Sequence, residues 1–260
     1  MKKKYKIILT IIAVYSVCVI LLILSLINKK PPVLKRYIPE TKDTLTTEFV
    51  IRNNDTIPHG KYIVHNENGN KTDEGSFVDG HIKGKSIHYF DNEMIESICY
   101  YKSVKIKEEC TFYYFNEKTM KYYMYNDLGE LEFIIYYDKF GNVESYEGTP
   151  LLEIYQYKVA NKEKFKTKIE QHLKVGDTLK YEYLIANIPN AKRTFKIKNL
   201  DVDNTKVDLS FRKTSQVGIE VEETLTQKGI NTIQATVKYE FNDKEKTIIN
   251  DTLSFQVTVN

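Results

Sequence analysis

The chain has 260 residues, with 38 Lys and Arg against 35 Asp and Glu, and the whole of its +3 excess comes from its first thirty residues. Residues 1–30 hold six lysines and no acid, so residues 31–260 carry 32 basic against 35 acidic side chains, a net of −3. Binding to nucleic acid calls for a basic face; this remainder has no basic excess, which excludes nucleic acid from the expected partners.

Ile7–Asn28, IILTIIAVYSVCVILLILSLIN, runs for 22 residues without a charge or a proline. About 20 apolar residues cross the ~30 Å hydrocarbon core of a bilayer as a helix, and the hydroxyls of Thr10, Ser16 and Ser25 can bond back to the helix backbone. A transmembrane helix is expected here. Lys2, Lys3, Lys4 and Lys6 precede it, and Lys29, Lys30, Lys35 and Arg36 follow, so the Lys/Arg bias that marks the cytoplasmic side is tied. The run outlasts the apolar centre of a cleaved signal peptide, and its exit, Leu26-Ile27-Asn28-Lys29, lacks small residues. Tyr15-Ser16-Val17 is a poor approach to a lipidated Cys18. We therefore expect an uncleaved signal anchor over 1–30: a single-pass membrane protein whose C-terminal bulk is extracytoplasmic.

Pro31-Pro32 ends the helix, because proline has no N–H to give and clashes with the preceding turn. Residues 31–48 show no apolar period and read as a linker.

From 49 to 149 the chain repeats with a period near 24. Gly75, Phe77, Gly80 and Gly84 stand in the run Glu74-Gly75-Ser76-Phe77-Val78-Asp79-Gly80-His81-Ile82-Lys83-Gly84, which closes at Tyr89. A shift of 24 takes Gly84 back to Gly60, Phe77 on to Tyr101 and Tyr125, and Tyr89 on to Tyr113 and Tyr137. Glycines at fixed offsets supply the positive-φ positions of hairpin turns; turns are expected at Asn68-Gly69, Asp79-Gly80, Asn126–Gly129 and Phe140–Asn142. Aromatic runs such as Thr111–Phe115 and Phe133–Tyr137 suit a half-buried pleated surface. The unit resembles the MORN repeat, E-G-x-aromatic-x-x-G-x-x-x-G followed by a strand ending in Tyr, in the degenerate bacterial variants labelled antitoxins. Over roughly 50–148 the resemblance implies a β-hairpin repeat meander.

Twelve of the twenty tyrosines lie between His59 and Gly148. Most are read as core, while Tyr113, Tyr125 and Tyr137 are the candidates for an aromatic binding face. Cys99 and Cys110 flank a turn at Lys102–Lys107. An even loop centred between Val104 and Lys105 sets the two thiols opposite one another, whereas the five-residue spacing of Gly80 and Gly84 sets them on opposite faces. The repeat spacing favours the second, and no disulfide is expected.

Beyond Thr149-Pro150 longer alternating strands begin. Leu179, Tyr181, Tyr183 and Ile185 alternate with Lys180, Glu182 and Leu184, and similar alternation recurs around Val207–Phe211, Ile233–Phe241 and Leu253–Val259. Period two implies sheets buried on one face. With further strands at 152–159, 195–198, 217–225 and an edge strand at 165–171, residues 150–260 fit a β-sandwich. Their layout resembles Ig-like modules of bacterial envelope and motility proteins. The expected fold is thus all-β behind a transmembrane helix: a MORN-like hairpin meander followed by an Ig-like sandwich.

No nucleophile motif, P-loop, dinucleotide fingerprint or C-x-x-C occurs. His59, His65, His81, His88 and His172 are scattered, Asp201–Asn204 lacks the later ligands of a calcium loop, and Glu220, Glu222 and Glu223 read as a solvated strand edge. We expect no catalytic residues, no cofactor and no metal. The expected function is a membrane-anchored, extracytoplasmic, non-catalytic binding or scaffold protein of the bacterial envelope, with an envelope protein or cell-wall component as partner. The MORN-variant resemblance implies an alternative, an antitoxin or immunity protein. A third reading, lipid binding, rests on Lys102, Lys105 and Lys107.

Overall fold

The computed structural model describes residues 31–103, 106–158 and 173–260, together with Tyr15, Ser16 and Val19. Apart from those three positions the span Ile7–Asn28, with Cys18, lies outside the described residues, as do the expected edge strand at 165–171 and His172. Among the described residues no helix is long and apolar enough to cross a membrane. The described fold is all-β.

Eleven strands form the first sheet: β1 (Val33–Ile38), β2 (Asp43–Arg52), β3 (Asp55–His65), β4 (Lys71–Val78), β5 (His81–Ile82), β6 (Gly84–Tyr89), β7 (Ile95–Ser103), β8 (Ile106–Tyr113), β9 (Thr119–Tyr125), β10 (Leu131–Tyr137) and β11 (Val143–Gly148). They pair in chain order as an antiparallel meander, with the two-residue β5 off the path on β4. The linker expected over 31–48 is instead β1 and the first part of β2, paired from Val33 against Glu48 to Ile38 against Asp43. The absence of an apolar period there has a physical cause. β1 is an edge strand largely exposed along its length, so no buried face imposes alternation.

The turns explain the period. Starting at 66, 90, 114 and 138, each is closed by its first residue's N–H donating to the carbonyl of the fifth, as in Asn66 to Asn70, and by the fourth residue's N–H donating back to the carbonyl of the first, as in Gly69 to Asn66 and Glu117 to Tyr114. The fourth residue is left-handed in all four: Gly69, Glu93, Glu117 and Gly141. Asn66 and Asp138 cap their own turns, their Oδ1 accepting from the N–H groups two and four residues on. At the other edge Asn53-Asn54 and Asp79-Gly80 have positive φ at both central positions, the requirement of a two-residue type I′ hairpin.

The chain crosses Thr149-Pro150 into two smaller antiparallel sheets, built from β12 (Leu151–Lys158), β13 (Thr178–Ile185), β14 (Ala191–Asn199), β15 (Leu209–Lys213), β16 (Gly218–Thr224), β17 (Gly229–Phe241) and β18 (Ile248–Val259). Their orders are β12-β13-β16-β15 and β14-β17-β18. β17 alternates as expected, with Ile233, Ala235, Val237 and Tyr239 buried. β13 does not. All its residues after Thr178 are buried, including Lys180 and Glu182. Each charge has a partner there, Lys180 with Glu220 at 2.9 Å and Glu182 with the Thr214 hydroxyl.

The meander and the two small sheets share one core. Tyr122, Met124, Phe133, Ile135 and Tyr137 of β9 and β10 belong to the same buried cluster as Tyr181, Tyr239, Phe255 and Val259. Tyr122 ties the two parts by hydrogen bonds: its hydroxyl donates to Glu109 and accepts from the Asn187 N–H, both at 2.8 Å.

Candidate binding face

Residues paired across antiparallel strands point to the same face, and faces alternate along each strand. Glu109 pairs with Met124 and Tyr122 with Ile135, which puts them on the face sealed against the small sheets. Cys99 pairs with Cys110, Cys110 with Tyr123 and Tyr123 with Ile134, a row on the opposite face. The two aromatic series spaced by 24 therefore separate. Phe77, Tyr101 and Tyr125 stand on the outer face; Tyr89, Tyr113 and Tyr137 stand on the inner one.

This corrects the expected trio of Tyr113, Tyr125 and Tyr137. Tyr137 is 1% exposed, and its hydroxyl donates to the Pro189 carbonyl at 2.9 Å. It closes the core and offers nothing to a ligand. Tyr113, half-buried, shares that inner face, where burial and then the Tyr100 and Glu109 side chains push its hydroxyl pKa up. Only Tyr125 is on the open side.

Around Tyr125 the outer face gathers a different set. Phe112 and Tyr123 lie 5.4 Å apart between ring centroids, Tyr123 and Tyr125 6.4 Å apart and edge-on. Tyr136, 37% exposed, is pushed up in pKa by desolvation and then by the neighbouring Tyr123. Lys121 Nζ stands 4.6 Å from the Phe112 ring and 5.0 Å from the Tyr123 ring, and Lys107 Nζ 5.7 Å from that of Tyr101. The cation sits over ring faces, where the quadrupole is negative. The result is a stripe of rings with polar tips and two ammonium groups across β7 to β10. Alternation within Tyr-Tyr-Met-Tyr at 122–125 was the signal for it: Tyr122 and Tyr123 must face opposite ways.

The repeat glycines and aromatics serve the scaffold. Tyr62 pairs with Gly75, and a Cβ on Gly75 would lie 2.8 Å from the Tyr62 ring. The missing side chain lets Tyr62 lie flat and share a 2.9 Å hydrogen bond with Ser86, 24 residues on. Phe77 packs on Tyr62 at 4.7 Å. Gly60, Gly80 and Gly84 all have positive φ. Tyr89 donates to Glu74 at 2.7 Å beneath Lys71, and that hydrogen bond is the chief cause that lowers the Glu74 pKa.

Cys99 and Cys110 form a disulfide, against the expectation. The β7–β8 connection spans two positions, 104 and 105, between the Ser103–Ile106 pair, so the even loop holds. The residue left over at each of two register shifts cancels before Cys99 is reached, and the thiols meet on one face. Both cysteines are buried.

The acidic run on β16 is also corrected. β16 lies between β13 and β15, so Glu220 and Glu223 are buried. Glu220 accepts from Arg212 Nε at 2.9 Å; Glu223 accepts from the Tyr181 hydroxyl at 2.9 Å and from Asn199 Nδ2 at 3.0 Å. Burial raises the Glu223 pKa despite those two donors. Asp203 caps a single 3-10 turn at Asn204–Lys206. His88 pairs with Asp73, whose hydrogen bond raises the imidazole pKa; at Asp73 burial acts upward, but the His88 bond and charge prevail and the pKa falls. Among the described residues no group of three His, Cys, Asp or Glu is placed to hold a metal.

Compared with protein-family models and with curated proteins, the chain matches none.

Proposed function

We propose that the chain is a membrane-anchored, extracytoplasmic, non-catalytic binding protein of the bacterial envelope, its partner an envelope protein or cell-wall component. The aromatic stripe carries this reading. One face of a long meander is spent on the core, while the other presents Tyr123, Tyr125, Tyr136 and Phe112 with Lys121. Tyrosine suits such a surface because its ring is rigid and apolar and its tip is polar.

Two observations support the placement. β1 begins five residues beyond Asn28, the end of the expected span, a separation that suits a sheet held close to a bilayer. A disulfide belongs to an oxidising compartment in most cells. The repeat spacing of turns supports the MORN-variant reading of the meander. The orders β12-β13-β16-β15 and β14-β17-β18 correspond to the A-B-E-D and C-F-G sheets of a constant-type Ig fold, which supports the Ig-like reading.

The test is capture of detergent-solubilised envelope proteins and cell-wall fragments, prepared from cells that lack the gene, on full-length protein immobilised in detergent. Tyr123→Ala combined with Tyr136→Ala and Lys121→Glu is expected to weaken binding at least tenfold without moving the thermal midpoint. Unchanged binding would reject the stripe as the partner surface.

A further inference from the structure

A cleft of about 540 Å³ opens where the β7–β8 end of the meander meets the β15–β16 loop, and its rim carries Lys83, Lys102 and Lys213. The three come from distant places in the chain: between β5 and β6, near the end of β7, and the end of β15. Among the described residues none of them takes part in an ion pair. The nearest acids are already engaged. Glu108, the one acid in the lining, accepts from the Gln216 N–H at 3.4 Å; Glu109 accepts from Tyr122 and Glu182 from Thr214. Lys213 bonds the neutral Gln216 amide at 3.5 Å and acts on the buried Glu109 carboxylate only through space. Tyr100 supplies an aromatic wall.

Three ammonium groups around one cleft against a single lining carboxylate leave a positive excess that an anion can neutralise. A concave site with low-dielectric walls focuses that attraction. We propose that this cleft binds a compact anion carrying two or more phosphate or carboxylate groups. The lysines act as point charges toward separate anionic groups, and Tyr100 packs against the ligand's carbon frame. Glu108 opposes binding and limits affinity.

Calorimetry on the full-length chain in detergent micelles tests this, with inorganic tripolyphosphate and citrate as the two probes. At least one is expected to bind, and the tighter of the two identifies the anionic group. Lys83→Gln, Lys102→Gln and Lys213→Gln are each expected to weaken it about tenfold, Lys102→Arg to retain it, and Lys228→Gln, away from the cleft, to leave it unchanged. Glu108→Gln is expected to tighten it several-fold, a gain that misfolding cannot mimic. Binding should fall steeply as salt rises from 0.05 to 0.3 M, roughly the range over which screening shortens below 10 Å. No binding of either probe at about 1 mM, where a site worth about 4 kcal/mol would be half filled, or binding by all three Lys→Gln variants equal to the parent's, would overturn the proposal.

Discussion

Glu93 and Glu117 hold left-handed backbone at φ 64° and 63°, where the equivalent turns one repeat away use Gly69 and Gly141. A side chain in that region costs about 1–2 kcal/mol, partly offset because glycine makes the unfolded chain freer by about 0.4–1 kcal/mol. Glu117→Gly is therefore expected to stabilise the protein by roughly 0.5–1 kcal/mol in a urea melt. Gly69→Ala, where an added Cβ meets nothing within 4 Å, should cost about 1 kcal/mol through the backbone alone. The buried carboxyls make a second prediction. Burial raises Glu109 and Glu223 above the ordinary 4.5, so their contribution is full below pH 4.5 and is lost as pH rises through the folded-state values. Glu223→Gln removes one of these titrations, and the Tyr181 hydroxyl can turn to accept from the new amide. The variant should gain stability relative to the parent between pH 4 and pH 7. A constant difference across that range would contradict the account of Glu223.

At the scale of elements, parity decides most of what was legible. The turns at Asn68-Gly69, Asp79-Gly80, Asn126–Gly129 and Phe140–Asn142 could be read because glycine marks positive φ. Those at Glu93, Glu117 and Asn53-Asn54 could not, since no glycine marks them. The same blindness hid the β7–β8 loop length, on which the Cys99–Cys110 pairing turned. β1 was missed because an exposed edge strand needs no apolar period, and the burial of Glu220 because strand order is invisible in a single period-two pattern. The hairpin gives a sharp test. Closing a loop of about a dozen residues is worth about 3 kcal/mol in the chain-entropy view, so Cys99→Ser with Cys110→Ser should lower stability by about that amount. Of the three cysteines, only Cys18 should react with thiol reagent in denatured, unreduced protein. Three reactive thiols would reject the disulfide.

For the whole molecule, the tyrosine-rich composition announced a binding surface or a core without saying which ring does which. The fold divides them by face. Tyr122 and Tyr137 hold the meander to the small sheets, and truncating either should loosen both parts together. Tyr137→Phe removes the bond to Pro189 and should cost about 1 kcal/mol, read as a single transition shifted as one. The proposed role depends most directly on where residues 31–260 reside. Leu128, 71% exposed in the turn between β9 and β10, can be changed to cysteine in a Cys18→Ser background, leaving one free thiol beside the disulfide. Added to intact cells, a membrane-impermeant maleimide should label this Leu128→Cys chain as fully as it does after lysis. Labelling that appears only once the membrane is broken would put the bulk of the chain in the cytoplasm and contradict the proposed role.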